Sequence, residues 1–97
     1  NEPVGMAARG NVSAARVWEL ASQQAVNVIR AMGDRRPLMV AGYHWSGIST
    51  WTENHPTSWI KDPARNFSYE AHAYFDARHS GVYGSYDSEL AALKAQA

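Results

Sequence analysis

Residues Leu38 to Gly42 form a short, uninterrupted apolar run, and this run restricts most strongly how the chain can fold. Pro37 precedes the run and polar loop residues follow it. The run is too short for an independent helix and lacks the alternation of a half-exposed strand. Strands of this kind are buried on both faces, as in a parallel sheet covered by helices. The run therefore predicts a parallel strand in an α/β fold.

The segment before this strand has the pattern of an amphipathic helix from Ser13 to Met32. Ser13 is a typical N-cap, and Gly33 followed by Asp34 is a typical stop. The apolar residues recur at spacings of three and four, which is the helical period. They are Val17, Leu20, Ala21, Ala25, Val28, Ile29 and Met32.

A second strand is predicted from Phe67 to Asp76, where polar and apolar residues alternate. Such alternation places the two sets on opposite faces of a strand. Beside a buried parallel strand, the polar face suits the lumen of a barrel and the apolar face suits packing against helices. The polar set is Ser68, Glu70, His72, Tyr74 and Asp76, and the apolar set is Phe67, Tyr69, Ala71, Ala73 and Phe75.

The connecting and final segments complete an alternating order of helices and strands. Residues Trp45 to Arg65 are rich in Gly, Ser, Thr, Asn and Pro, which predicts a long loop with a short helix around Thr57 to Ile60. Asp87 to Ala97 has helix-forming composition, with Asp87 or Ser88 as the predicted cap. This order favours an α/β topology with a parallel sheet.

Composition excludes several functions. Nine basic residues balance nine acidic ones, so no net charge attracts nucleic acid or an anionic membrane, and we expect neither partner. Cysteine is absent, which excludes disulfides and Cys-based zinc sites. No apolar run approaches the roughly 20 residues of a membrane span. Four Trp and five Tyr, gathered mostly between Tyr43 and Tyr86, suit stacking on sugar rings or ordinary core packing.

Two short motifs carry residues with chemical potential. Asn1-Glu2-Pro3 offers a carboxyl group where a strand would pass into a loop, although a Glu near a terminus is usually only a solvated charge. In the block YEAHAYFD, His72 and Tyr74 project to the same side as Glu70. Taken alone, this pair is equally typical of satisfied core residues.

Together with LMVAGYHWSGISTW, NHPTSWIKDPARN and SGVYGSYDSE, these motifs resemble glycoside hydrolase family five, the cellulases and endoglucanases. The resemblance covers nearly the whole chain in the family's order. It implies a (β/α)₈ barrel, of which residues 1–97 would supply the end of strand four through the start of helix six, as part of one catalytic domain. It also implies a secreted enzyme acting on a β-linked glucan or related polysaccharide, without a cofactor or metal.

The resemblance assigns roles to individual residues. Glu2 is similar to the family's general acid/base, and Asn1 to the neighbour that binds the sugar 2-hydroxyl. His72 and Tyr74 match the His-x-Tyr pair that lines the sugar subsite and contacts the nucleophile. Either of two loop tryptophans, Trp45 or Trp51, is a candidate stacking platform.

The sequence departs from the family at the nucleophile. A retaining glycosidase needs a second carboxylate about 5–5.5 Å from the acid, and the family places it in a Gly-Glu-Phe/Tyr-Gly setting that no Glu here has. About 250 residues are typical of a barrel. We therefore expect the isolated chain not to hydrolyse glucan, and to pair with the rest of its barrel or with a second copy.

Two alternatives stay open. The chain could be a truncated, non-catalytic remnant or module that still binds glycans through its aromatic residues. A histidine metal site is weaker, because the spacing of the four histidines matches no ligand motif. They are His44, His55, His72 and His79.

Overall fold

The computed structural model describes residues 2–76, 81–82 and 84–96. Helix α1 spans Ala14–Ala31, strand β1 Leu38–Ala41, a 3₁₀ turn Ile48–Thr50, helix α2 Trp51–Asn54, strand β2 Phe67–Glu70 and helix α3 Tyr86–Gln96. The two strands pair in parallel, with Leu38 opposite Phe67 and Ala41 opposite Glu70. The predicted α/β character and parallel pairing are confirmed.

Local signals set the ends of α1 as predicted. The Ser13 hydroxyl accepts a hydrogen bond from the Arg16 amide at 3.2 Å, as an N-cap does. At the other end Gly33 has a φ of 84° and donates its amide to the Arg30 carbonyl at 3.0 Å. Glycine reaches this left-handed conformation at little steric cost, so the helix stops there.

The core lies between α1, the sheet and the loop that precedes β2. Val26, Val40 and Ile60 are buried at its centre. Partly buried side chains surround them, namely Leu38, Trp59, Phe67 and Tyr69. Phe67 and Tyr69 belong to the predicted apolar face of β2, and their packing confirms that assignment.

The buried stripe of α1 differs from the apolar pattern in the sequence. The helix buries Ala15, Glu19, Ser22 and Val26, whereas Leu20, Val28 and Met32 are exposed. Two polar residues of the stripe find partners inside: Ser22 accepts from the Trp59 indole at 2.9 Å, and Glu19 contacts His55. Satisfied polar groups can be buried without the usual free-energy penalty.

The prediction that strand β1 is buried on both faces is wrong for Met39. This side chain is 68% exposed, while Val40 and Ala41 are buried. Within the described residues the sheet has two strands, and Ala41, which strand alternation places on the same face as Met39, is buried. The opposite face packs against α1.

The predicted helix around Thr57 to Ile60 is wrong, and the helical turns lie earlier, at Ile48–Thr50 and Trp51–Asn54. The Tyr69 hydroxyl explains the difference. It accepts the amides of Trp59 and Ile60 at 2.9 and 3.0 Å. Those amides are thus satisfied without a helical ladder.

Strand β2 ends at Glu70 rather than at Asp76. Its partner β1 ends at Ala41, so ladder bonding stops there, and one further parallel bridge joins His72 to Gly47. In α3, the cap is Ser85, not Asp87 or Ser88: the Ser85 hydroxyl accepts the Ser88 amide at 3.2 Å. Among the described helices, none has the length and apolar character needed to cross a membrane.

Candidate active site at the carboxyl edge of the sheet

The sequence motifs meet where β1 and β2 end. Parallel strands present their carboxyl ends at the same edge, so the loop after β1 and the residues after β2 are neighbours. The Trp45 amide donates to the Pro3 carbonyl at 3.2 Å, which holds the N-terminal segment against that loop. Residues far apart in sequence thereby share one edge.

His72 lies between two carboxylates. Its Nδ1 is 2.7 Å from Oε1 of Glu2, and its Nε2 is 2.7 Å from Oε1 of Glu70. All three side chains are partly exposed, at 20% for His72, 37% for Glu2 and 29% for Glu70. The structure thus brings together Glu2 and His72, two of the candidate site residues taken from the sequence.

The two carboxylates change the acidity of the imidazole. The hydrogen bond to Glu70 is the largest influence and raises the pKa of His72 above its ordinary value of 6.5. Burial acts in the opposite direction, and the hydrogen bond and charge of Glu2 add to the rise. Negative neighbours favour the imidazolium form in which both ring nitrogens donate.

The backbone of His72 is held on both sides. Its amide donates to the Ser46 carbonyl at 2.8 Å, and its carbonyl accepts the Ile48 amide at 2.9 Å. These bonds extend the sheet by one residue pair beyond the ends of the strands. The backbone that carries the imidazole is therefore fixed by hydrogen bonds on both sides.

The loop after β1 contains an unusual left-handed turn. His44, Trp45 and Ser46 have φ values of 59°, 57° and 56°, a region that costs a non-glycine residue about 1–2 kcal/mol. The Ser46 amide donates to the Gly42 carbonyl at 3.1 Å and the Gly47 amide to the His44 carbonyl at 3.1 Å. Such conformations persist when surrounding contacts hold them.

Ser46 makes some of the contacts that stabilise this turn. It is fully buried, its hydroxyl accepts the Gly42 amide at 2.9 Å, and it donates to the Glu70 carbonyl. It thus joins the ends of both strands to the turn. Trp45, at the middle of the turn, remains about half exposed.

A second buried network fixes the start of the same loop. The Tyr43 amide donates to Nε2 of His55 at 2.8 Å, which leaves Nδ1 to donate to Oε1 of Glu19 at 2.9 Å. Arg16 also donates to Glu19, at 2.8 Å. Helix α1 and the loop are therefore joined through a histidine that is 3% exposed.

The remaining predicted residues differ in surroundings. Trp51 packs inside an aromatic cluster, with ring centroids 5.7 Å from Tyr69 and 6.1 Å from Trp59. Tyr74 lies beyond the bridge of His72 and is exposed, and Asn1 lies outside the described residues. Because Trp51 is partly buried and Trp45 is about half exposed, Trp45 is the more accessible of the two tryptophans.

The described histidines occupy separate environments. His44 faces the Thr50 hydroxyl at 3.1 Å, whereas His55 and His72 each contact glutamate. The described part of the chain contains no group of three or more potential ligands that could hold a metal ion. His79 lies outside the described residues.

Sequence reasoning missed the contribution of several residues. Glu70 was placed on the polar face of β2 but given no role, although its two-residue separation from His72 could have suggested their contact. The partners Glu19 and His55, and the buried role of Ser46, had no comparable signal. Their contacts join segments that lie far apart along the chain.

Comparisons with known proteins show which family this chain resembles. The sequence matches the family model Cellulase (glycosyl hydrolase family 5) over residues 1–96. Endo-β-1,4-glucanase B of Aspergillus niger is 38% identical over 62 residues, which cover 63% of this chain and 19% of that protein. Endoglucanase 3 of Humicola insolens is 36% identical over 63 residues, covering 63% of this chain and 16% of that protein.

Solved structures give the same result. A triple-mutant endo-β-1,4-glucanase from Xanthomonas axonopodis pv. citri has a TM-score of 0.72 and 28% identity, covering 99% of this chain and 32% of that one. A structure of XacCel5A in complex with cellopentaose has a TM-score of 0.68 and 27% identity, covering 99% and 34%. This chain spans about a fifth of the curated relatives and a third of the solved chains. The match over residues 1–96 shows that the chain belongs to the Cellulase family, glycosyl hydrolase family 5.

Proposed function

We propose that this chain supplies the acid/base part of the active site of a retaining endo-β-1,4-glucanase. The observation that carries the proposal is the 2.7 Å contact between Glu2 and His72 at the carboxyl edge of two parallel strands. Active sites of (β/α)₈ barrels lie at that edge. On this proposal, residues 1–97 are the central part of one barrel domain, from the end of strand four to the start of helix six.

In the proposed reaction Glu2 is the general acid/base. A retaining glycosidase needs one carboxyl group to protonate the leaving oxygen and later to activate water. The proton of the first step ends on the leaving sugar, and the proton of the attacking water returns to Glu2. The nucleophile would come from outside residues 1–97, because no Glu here has the family's nucleophile setting.

The other proposed site residues follow the family resemblance. His72 would line the sugar subsite, and the Tyr74 hydroxyl would contact the nucleophile. Asn1 would bind the sugar 2-hydroxyl. The half-exposed ring of Trp45 supports it, rather than the partly buried Trp51, as the platform that stacks on a sugar ring.

The proposed substrate is a β-linked glucan. One relative is named an endo-β-1,4-glucanase and one solved neighbour holds cellopentaose. Such polymers do not cross membranes, which supports secretion of the enzyme. The remaining strands of the barrel, or a second copy of the chain, would complete the fold.

A domain replacement tests the proposal. This chain would replace the aligned 32% of the Xanthomonas axonopodis endo-β-1,4-glucanase, leaving that enzyme's other strands in place. We expect the chimera to hydrolyse cellopentaose and Glu2→Gln to reduce its kcat about 10²–10⁴-fold, as loss of a general acid does. Glu53→Gln, at an exposed position of α2, is the matched control with no expected loss.

Substrates with different leaving groups distinguish the loss of a general acid from general damage to the active site. Dinitrophenolate leaves without protonation, so Glu2→Gln should retain the glycosylation step on dinitrophenyl cellobioside. Equal losses in the rate of glycosylation with both substrates would contradict the acid role. A folded chimera that binds cellopentaose without turnover would favour the alternative of a non-catalytic carbohydrate-binding remnant. The 97-residue chain alone serves as the inactive reference.

A further inference from the structure

Glu70 has no part in the function proposed above, yet it touches the same imidazole as Glu2. Its Oε1 is 2.7 Å from Nε2 of His72, on the side of the ring opposite the Nδ1 that faces Glu2. A neutral imidazole carries one N–H, so the ring can donate to both carboxylates only as imidazolium. Otherwise one carboxyl must itself carry a proton.

We infer that Glu70 is a positioning residue that keeps the Nε2–H of His72 in place, so that Nδ1 shares the acid/base proton with Glu2. The inference rests on the proposed role of Glu2. It assigns to Glu70 and His72 the storage of that proton between successive turnovers.

Position in the fold favours Glu70 as the fixed acceptor. Glu70 is the last residue of β2, opposite Ala41 in the sheet, and its carbonyl accepts from the buried Ser46 hydroxyl. His72 follows two residues later on the same face and has bonded backbone groups on both sides. Glu2 instead lies in a segment without regular structure, so its contact depends on the pairing of Pro3 with Trp45.

The proton balance closes without another reactant. In one state His72 is imidazolium and both glutamates are carboxylates. Transfer of the Nδ1 proton gives protonated Glu2 and neutral His72, which still donates Nε2–H to Glu70. When Glu2 protonates the leaving oxygen, its O–H bond breaks and the O–H bond of the sugar forms. The proton taken from the attacking water then returns through Glu2 to Nδ1.

The acidity of His72 agrees with this arrangement. The hydrogen bond to Glu70 is the largest of the influences that raise the pKa of His72, ahead of the hydrogen bond and charge of Glu2. Burial of the ring opposes both. Two carboxylates, one from β2 and one from the N-terminal segment, thus favour a proton on each ring nitrogen.

Nitrogen-15 and proton NMR of the full chain, recorded without glycan, tests the inference. Above the His72 midpoint we expect Nε2 to carry the remaining proton in the wild type. Glu70→Gln should move the His72 titration midpoint to lower pH by more than Glu2→Gln does. His44, which faces Thr50 rather than a carboxylate, is the internal control, and its ring signals should be the same in both variants.

Two results would overturn the inference: a wild-type ring protonated on Nδ1 above the midpoint, or an unchanged midpoint in a Glu70→Gln chain whose amide spectrum matches the wild type. The wild-type ring measurement decides the matter if Glu70→Gln does not fold. In the active chimera, Glu70→Gln should also move the basic limb of the pH profile of kcat/KM to lower pH. Because the NMR readings need no catalysis, an inactive chimera with the expected titration rejects the proposed function alone.

Discussion

At the scale of single residues, Gly42 shows how closely the aromatic cluster approaches the sheet. A Cβ atom at this position would lie 2.5 Å from Cζ3 and 2.9 Å from Cη2 of Trp51. Trp51 cannot retreat freely, because Tyr69 and Trp59 contact its ring. The absence of a side chain at Gly42 therefore permits the Trp51 packing that supports the loop after β1.

We predict that Gly42→Ala destabilises the protein by about 1–3 kcal/mol, the usual cost of overpacking. Urea unfolding would measure this change. Trp51→Phe removes the six-membered part of the indole, which contains the clashing atoms, so the double variant should lose less than the sum of the two single losses. If the two losses of stability were strictly additive, the contact between residue 42 and Trp51 would be relieved in some other way.

At the scale of elements, an ion pair ties α1 to the loop before β2. Arg30 and Asp62 have almost fully buried side chains and form two bonds of 2.9 Å. Arg30 also donates to the carbonyls of Asp34, Arg36 and Asn66. The Arg30 hydrogen bond holds the pKa of Asp62 far below its usual 3.8, against the effect of burial and with help from backbone amides.

This pair predicts a pH dependence of stability. A carboxyl group with a lowered pKa in the folded state contributes stability above its unfolded pKa and loses it as pH falls through the folded value. Wild type should therefore exceed Asp62→Asn in thermal midpoint most clearly above about pH 4, and the difference should shrink in stronger acid.

Asp34→Asn is the matched control for this pH dependence. Its pKa is lowered to about 2, chiefly by the hydrogen bond from Arg36, but Arg36 is largely exposed. Exposed pairs contribute little to stability, so this variant should change the midpoint less than Asp62→Asn. A difference between wild type and Asp62→Asn that stays constant from pH 7 to about pH 2 would contradict the assigned role of Asp62.

At the scale of the whole molecule, the two-stranded sheet leaves each strand with one unpaired edge among the described residues. Apolar side chains are exposed on both the sheet and α1, including Met39 and Val28. Burying such a side chain contributes about 1.5–3 kcal/mol, and unpaired strand edges readily add another strand. Both features favour association.

We predict that the chain associates with the remaining strands of its barrel or with itself. Sedimentation velocity at increasing concentration should show a mass above that of the 10.7 kDa monomer. Met39→Lys should weaken association through the sheet, whereas Met32→Lys at the end of α1 should change it less. A cooperative monomer at all concentrations would contradict the prediction and favour a self-contained α/β module.

The sequence alone determined the ends of α1, the position of β1, the apolar face of β2 and the motifs that identify the family. These features depend on neighbours along the chain: a capping Ser13, a stop at Gly33 and an apolar run after Pro37 act within a few residues. Local chemistry is readable from local sequence because the interacting groups are never far apart.

Only the tertiary structure decided which face of α1 is buried, why Trp59 and Ile60 stay out of a helix, and which carboxylates meet His72. Each outcome depends on a partner distant in sequence: Tyr69 accepts the amides of Trp59 and Ile60, Glu19 meets His55 across 36 residues, and Glu2 meets His72 across 70. A buried polar group takes whichever partner the fold brings within reach, since leaving it unpaired costs about 1–3 kcal/mol. That choice becomes readable only when the strands and loops have been placed together in space.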